Sequence, residues 1–591
     1  MSYMDAPRLH FAGTFIADPS TVNNTPGNYD PNVTNPNQGW NPNGTGQWQL
    51  KNCTVQAIVY TDGTVCSTGA DDPIVGSAVQ GTNQPQISKL VDLDPEQQMV
   101  SEIWGLQIEV GAPGSPSSFV GNYKVAAFSD IWFRAVGSGG GGDAPMGAFF
   151  QSVIERVKWN EISGSRFLQE LNDASPNELS IKFNLDGINM DSSSPTFTQG
   201  RIVGTIGPAH ESEPKHFVAG RLLRSAPGTS TNPSLQPMTL QGTPESSPMF
   251  FAPCKVDQAC KRALLDLGNS ISTTTPGGPV NPALGDLWLA ILQPYAAPVL
   301  LGQINYGDAG WYTSTAGIQE FPLSDEQLEL SENNPLGIVQ LSPDGAISQP
   351  LIQENSSGLF VRADRFVFRL NPGESAEVDL VVTRFGKRAA DETISLALDT
   401  MSVNRMQSPP NPDDIPIGVP GTALEFPSSV TTGGDGCASF TLKAGDPGNP
   451  RKFIDGQVYG ISYLLQAAAE ANYNPDPSNF ISVLVFSSHP ALDSPTWKDV
   501  RPILAQYAKL YPFMTTGVGI NLGDYTAVKK NLTAIKQVLS LPKTDPGYMQ
   551  VTRDMSRDKL NLILTWIGQG APLGDQNLDL ILSWVDTRAS E

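Results

Sequence analysis

The residues able to do chemistry are few in this chain. The histidines are His10, His210, His216 and His489. His210 to His216 is the one tract that brings two of them together, with Glu211 and Glu213 between them. It contains one Glu-x-x-His string, Glu213-Pro214-Lys215-His216. On a helix that spacing would point both side chains at one metal ion. Pro214 opposes the helix, because its ring blocks the backbone hydrogen bond and clashes with the preceding turn. A solvated polar loop is therefore the expectation, with a divalent-metal loop as the alternative. His10 lies between Leu9 and Phe11, so on a strand it faces away from both. It is expected to be a hydrogen-bonded structural histidine, with acid–base chemistry or ligand contact as the alternative.

The cysteines are Cys53, Cys66, Cys254, Cys260 and Cys437. Cys254 and Cys260 are spaced too widely for a Cys-x-x-Cys zinc site. An odd, sparse set opposes a disulfide framework. Cys53 and Cys66 flank an expected hairpin, Thr54 to Tyr60 with a turn at Thr61-Asp62-Gly63-Thr64, and are the one pair placed near each other. Whether they bridge stays open. The chain has no Gly-x-Ser-x-Gly nucleophile elbow, no phosphate-binding Gly-x-x-x-x-Gly-Lys loop and no His-Glu-x-x-His helix. Gly137 to Gly142 is followed by no lysine and reads as a linker. What stands out instead is paired aromatics: Trp132-Phe133, Phe149-Phe150, Phe250-Phe251 and Trp311-Tyr312. On a strand, adjacent rings point to opposite faces. One of each pair belongs in a core, and the other is free to face a groove or an interface. Trp132, Phe133, Phe149, Phe150, Trp311 and Tyr312 are accordingly the candidate ligand-binding residues, and no catalytic or metal-ligating residue is assigned.

The elements that must carry these residues follow from composition and periodicity. Charged residues make up 16% of the 591, while Gly (56) and Pro (49) are abundant. Such a chain suits many short strands joined by turns, and its length suits several domains. The net charge of −22 argues against nucleic acid and against anionic membrane surfaces. No run is long and apolar enough for a membrane span. The opening Met1-Ser-Tyr-Met-Asp-Ala-Pro lacks a basic segment and an apolar segment, so no signal peptide is expected and the location defaults to the cytoplasm. The Asn-x-Ser/Thr sequons at Asn23, Asn32, Asn43, Asn52, Asn355 and Asn531 are then expected to go unused.

Leu9–Ile16, Thr54–Tyr60 and Ile103–Val110 read as β-runs. Residues 24–48 read as a long loop, ordered only if packed against something. A helix is expected within Glu155–Leu171. Phe366–Leu370, the type II turn signal Asn371-Pro372-Gly373, the alternation at Val378, Leu380 and Val382, and Ile481–Phe486 predict a β-sandwich resembling an immunoglobulin-like module. Three apolar stripes predict amphipathic helices near the end: Val500, Ile503, Leu504 and Tyr507; Leu560, Ile563, Leu564 and Ile567; and Leu578, Ile581, Leu582 and Val585, with Asp575 as N-cap of the last. They are expected to pack onto the β-portion. The expected fold is mainly β, of β-sandwich-type domains including an immunoglobulin-like module, with a small C-terminal helical unit. The expected division is a β-rich region over 1–350, with room for two β-domains, a sandwich over 351–490 and helices over 491–591.

Several tracts carry a resemblance. Pro7-Arg-Leu-His-Phe11 with Gly13 and Thr21-Val-Asn-Asn24, Ala219-Gly-Arg-Leu-Leu-Arg224, Leu284-Gly-Asp-Leu287, Tyr511-Pro-Phe-Met514 and Met549-Gln-Val-Thr-Arg-Asp-Met-Ser556 are similar, in this order, to tracts of the iminophenyl-pyruvate dimer synthase and chromopyrrolic acid synthase family of the violacein and rebeccamycin pathways. The resemblance implies kinship with that family's portion outside its ferritin-like domain. The metal-ligating carboxylates and histidines belong to the ferritin-like domain, so no catalytic cofactor is implied here. The resulting expectation is a non-enzymatic binding protein that shelters an apolar small molecule in a homo-oligomer, with a pigment such as a carotenoid as the suggested guest. Two alternatives stay open: an oxidative secondary-metabolism enzyme or enzyme subunit, and a structural or storage protein.

Overall fold

The computed structural model describes all residues except 1, 38, 83–87, 99, 112–116, 137–141, 226–248, 400–416, 470–479 and 575–591. The expected last helix with its Asp575 cap, and nearly all of the Gly137–Gly142 tract, fall outside the described residues.

The first unit is built from β1 (Arg8–Asp18), β2 (Gln47–Val59), β3 (Val65–Cys66), β4 (Ala78–Gln80), β5 (Lys89–Asp92), β6 (Ser101–Trp104), β7 (Gln107–Val110), β8 (Ser118–Tyr123), β9 (Ala126–Phe133), β10 (Met146–Asn160), β11 (Glu178–Asp186) and β12 (Gln199–Pro208). Hydrogen bonding runs β1-β12-β11-β10-β8-β7-β4-β2, and β2 pairs back with β1, so the sheet closes on itself. A second path, β2-β5-β6-β9-β10, shares the same wall. The long strands make this branching feasible. Met146–Phe150 of β10 pairs with β9, whereas Ile154–Asn160 pairs with β8 across a register shift. Bulges of this kind let one strand bend away from one neighbour toward another. Closure leaves few edges, and the lumen is filled by large rings: Trp48 stacks on Phe183 at 5.4 Å and Phe150 on Phe183 at 5.5 Å.

Two local expectations change here. Ile103–Val110 is two strands, broken at Gly105, whose φ of +70° only glycine adopts freely. Glu155–Asn160 continues β10 instead of opening a helix. Its exposure alternates with period two, as on a strand with one covered face. The helix begins only at Arg166, where the Ser165 hydroxyl accepts from the Leu168 amide at 3.1 Å.

The second unit orders its strands Val299–Gln303, Leu287–Ile291, Leu336–Gln340, Ile352–Gln353, Arg221–Ser225, Ala252–Asp257, Arg262–Asp266 and Ile318–Pro322. Its two edges meet through side chains: Gln319 Nε2 donates to the Gln303 carbonyl at 2.6 Å, and Gln319 Oε1 accepts from the Asn305 amide at 3.0 Å. Leu223, Leu265, Leu289 and Ile338 fill its core, and Ala12 and Val203 on the outer face of the first unit pack against it.

The expected sandwich is present. One sheet holds Leu359–Ala363, Ser375–Arg384, Cys437–Ala444 and Leu424–Glu425; the other holds Val367–Leu370, Phe480–Val485, Gln457–Leu465, Thr393–Leu398 and Ser429–Thr431. Val378, Leu380 and Val382 point into its core. Gly373 has φ +81°, and the Glu374 amide donates to the Asn371 carbonyl at 3.0 Å, which is the expected type II turn.

The C-terminal helices Trp497–Leu510 and Arg557–Gly568 bury Val500, Ile503, Leu504 and Tyr507 on one side and Leu562, Ile563, Trp566 and Ile567 on the other. The second stripe is rotated slightly from the expected one, so that Trp566 becomes its centre. Their partner surface includes the long early loop and the short turn Thr21–Asn24 that leads into it. Val22 and Tyr29 join the same core, Asn23 Nδ2 donates to the Tyr511 hydroxyl at 2.7 Å, and Lys509 Nζ donates to the Asp30 carbonyl at 2.6 Å. The entropy cost of ordering that loop is thus offset within the chain. Among the described residues no helix is long and apolar enough to cross a membrane.

Candidate functional site

Most of the paired aromatics meet at one place, the seam between the first and second units. Phe149 and Phe150 point to opposite faces of β10, as their adjacency requires. Phe150 lies in the lumen beside Phe128 and Phe183. Phe149 faces outward, yet it is also buried, under the Lys182 ammonium at 4.7 Å from the ring centre. Trp132 stacks on Phe250 at 5.1 Å, which stacks on Phe251 at 4.2 Å. Trp132 Nε1 donates to Asn269 Oδ1 across the seam. Trp311 and Tyr312 open a short helix over the wall of the first unit, and both are buried. Phe133 is half-buried and stands apart from the stack. The six candidates therefore divide into a seam group, one lumen ring and one half-exposed ring.

Charge is threaded through this seam, unannounced by any residue pattern. On the outer face of β11, Lys182 Nζ lies 2.5 Å from Asp266 Oδ2, which also accepts from the Tyr3 hydroxyl at 2.6 Å. Asp266 Oδ1 accepts from the Gly268 amide at 2.8 Å. Burial pushes the Tyr3 phenol well up, and Asp266 adds to the effect; burial also pulls the Lys182 ammonium down, against the attraction of Asp266. Alongside, Asp186 takes Arg134 at 3.0 Å and Arg201 at 2.5 Å. Arg134 Nη1 donates to the Tyr312 hydroxyl at 2.8 Å, and that hydroxyl donates to the Gly268 carbonyl at 2.9 Å. Both guanidiniums sit over the Tyr312 ring, at 4.8 and 4.7 Å. Nearly every polar group of this chain of contacts is spent on another, Arg134 Nη2 being the one left buried without a partner among those named. The arrangement holds two sheets in one register, and it presents no unengaged base or nucleophile.

The same device recurs at the sandwich. Arg362 reaches Asp130 at 2.6 Å, Arg369 pairs with Glu102, and Arg451 makes a two-pronged contact with Asp94 at 2.6 and 2.7 Å. In each pair the cation comes from a sandwich strand or a loop between two of them, and the carboxylate from the first unit. Arg8 in β1 pairs with Glu320 of the second unit at 2.7 Å.

The remaining sequence candidates have ordinary surroundings. His10 Nδ1 lies 3.0 Å from Thr205 Oγ1, and burial holds its pKa well below the usual imidazole range. His216 Nδ1 lies 3.2 Å from Asp364 Oδ1, which also accepts the Lys215 and His216 amides, while His210 turns outward to Ser212. Among the described residues no three histidine, cysteine or carboxylate side chains gather as metal ligands. All five cysteines are free thiols. Cys66 lies opposite Ile58, five positions along β2 from Cys53, which keeps the two apart.

No family model and no curated protein matches the chain. Solved structures with a likeness include the D00–D0 domain of intimin, at 11% identity over 30% of this chain and 76% of that one, with a TM-score of 0.14. Domains 4 and 5 of the S-layer protein SbsC match at 8% identity over 34% of this chain and 100% of that one, with a TM-score of 0.13. The teleost fish polymeric immunoglobulin receptor ectodomain matches at 9% identity over 39% and 92%, with a TM-score of 0.15. Likenesses this slight carry no argument about site or function.

Proposed function

We propose that this chain is a non-enzymatic structural scaffold, in which three β-units and a helical end are locked into one body that can present a surface or support a partner. The observation that carries the reading is the set of buried ion pairs crossing unit boundaries: Lys182–Asp266, Arg362–Asp130, Arg369–Glu102 and Arg451–Asp94. Buried pairs contribute little net stability, because desolvation offsets their attraction. What they supply is orientation, since any other docking would leave a charge buried alone. A chain whose unit boundaries are fixed this way is suited to holding shape.

The family resemblance supports the same reading. Three of the family-like tracts contribute a buried arginine: Arg8, Arg221 and Arg553. Arg8 and Arg221 hold Glu320 and Glu354 in the second unit. We take kinship with the family's portion outside the ferritin-like domain as part of the proposal. The sheltered-pigment reading draws its support from the seam aromatics alone, and these are already stacked on protein groups.

The test is the absorption spectrum and solvent extract of protein from its native source, with mass spectrometry. The scaffold reading expects no visible chromophore and no extractable apolar ligand near one per chain. A stoichiometric apolar guest would overturn it in favour of the pigment-binding reading.

A further inference from the structure

Two guanidiniums and an ammonium gather where the first unit, the sandwich and the helical end of this acidic protein meet. Trp104 closes β6 of the first unit. Arg369 comes from the sandwich strand Val367–Leu370, and its guanidinium lies 5.4 Å from the Trp104 ring centre. Arg553 comes from the segment between the last two described helices, and its guanidinium lies 5.3 Å from the same ring and 5.8 Å from that of Tyr548. Lys543, from the same segment, stands 5.0 Å from the Phe486 ring. That segment is seated closely: a Cβ on Gly105 would lie 2.6 Å from Pro546 Cα.

The charges here are poorly matched. Arg553 is fully buried, yet its donors reach only the backbone carbonyls of Lys543, Val551 and Asp545. Lys543 Nζ has no acceptor among the described residues. The nearby carboxylates are engaged: Glu102 with Arg369, Glu374 with Arg557, Asp455 with Lys559, and Asp554 with Tyr507 and Thr552. Asp92 accepts from Ser101, and burial pushes its carboxyl up to about 7, which weakens it as a counter-charge. Burial, then Arg369, brings the Lys543 ammonium down to about 8. Three further groups are buried without a partner: Trp104 Nε1, Arg369 Nε and the Tyr548 hydroxyl. All three can donate, and the first two can only donate. Buried donors left unmade are costly, and an acceptor that bridges them relieves that cost.

We propose that this three-way junction is a binding site for a small oxyanion of the phosphate or sulfate class, held by Trp104, Arg369, Lys543 and Arg553. Tetrahedral oxyanions offer several acceptor oxygens and match guanidinium and ammonium donors. The site draws one group or more from each of three units, so an anion there would also fasten the helical end to the β-body.

The experiment uses the full chain, dialysed free of phosphate and sulfate, with inorganic phosphate and then sulfate as probes against chloride at equal ionic strength. Calorimetric titration should show saturable binding near one ion per chain, and thermal unfolding should rise with either oxyanion. Lys543 is only partly buried, so Lys543→Gln should fold and weaken binding roughly tenfold or more, the effect of losing one charged hydrogen bond. Trp104→Phe, which removes only the indole donor, should weaken binding less. A rise no greater than that in chloride, or a Lys543→Gln protein that binds as tightly as the original, would overturn the proposal.

Discussion

Replacing Asp94 by alanine tests the orientation argument at its strongest point. The Arg451 guanidinium is wholly buried and the Asp94 side chain nearly so, and they meet through two hydrogen bonds. Without Asp94, Arg451 would keep only the Gly456 carbonyl at 2.8 Å and the Asp455 carbonyl at 3.5 Å. Breaking one side of a buried pair costs about 3–5 kcal/mol. Glu96 lies close enough to interact with Arg451 and offsets part of the loss, which sets the expectation near the lower end, about 3 kcal/mol. The double variant Asp94→Leu with Arg451→Met removes both charges and fills the space with apolar groups, so it should lose less than Asp94→Ala alone. Urea unfolding of the full chain, followed by tryptophan fluorescence, gives both values, and limited proteolysis shows whether the sandwich comes loose. The reasoning fails if Asp94→Ala loses under about 1 kcal/mol, or if the double variant loses the sum of the two single changes.

Other outcomes follow from the same structure. Asp92, pushed up to about 7 by burial, keeps a proton in the folded state that the unfolded chain gives up above its ordinary value of 3.8. Its contribution is complete below 3.8 and drains away as pH rises toward 7, so Asp92→Asn should gain stability over the original at pH 8 and match it near pH 4; urea midpoints that stay equally far apart at both pH values would contradict this. Gly105→Ala places a Cβ against Pro546 at a φ of +70°, which should cost about 1–2 kcal/mol from the backbone alone. Faster proteolysis within residues 540–556 is the expected sign, and an unchanged cleavage rate argues against the tight seating. Cys260 is exposed, whereas burial pushes the Cys53 and Cys254 thiols up to about 12, so a thiol reagent should label Cys260 first and those two only after unfolding.

What could be read from the residues in advance was local. The sandwich was legible because Val378, Leu380 and Val382 alternate and Asn371-Pro372-Gly373 sets one turn type. The opposite facing of Phe149 and Phe150 followed from strand geometry alone. The closed first unit was not legible, because its closure depends on bulges in β1, β2 and β10 that leave no regular signature. The helix expected within Glu155–Leu171 begins at Arg166, and Glu155–Asn160 before it belongs to β10. The seam was hidden for a different reason. Lys182 and Asp266 are 84 residues apart, and Arg451 and Asp94 are 357 apart. A lone charge in a strand gives no hint of burial, so such partners emerge only once the units dock. The early Asn-rich loop was read as needing a surface to pack on, and the helix at Trp497–Leu510 proved to be that surface.

Differential scanning calorimetry of the intact chain tests the central claim most directly. Units held in one orientation by buried charge pairs should unfold together, giving one transition whose calorimetric enthalpy matches its van't Hoff enthalpy. Two or more separated transitions in the unaltered protein would show that the units behave as independent beads, and would contradict the scaffold account.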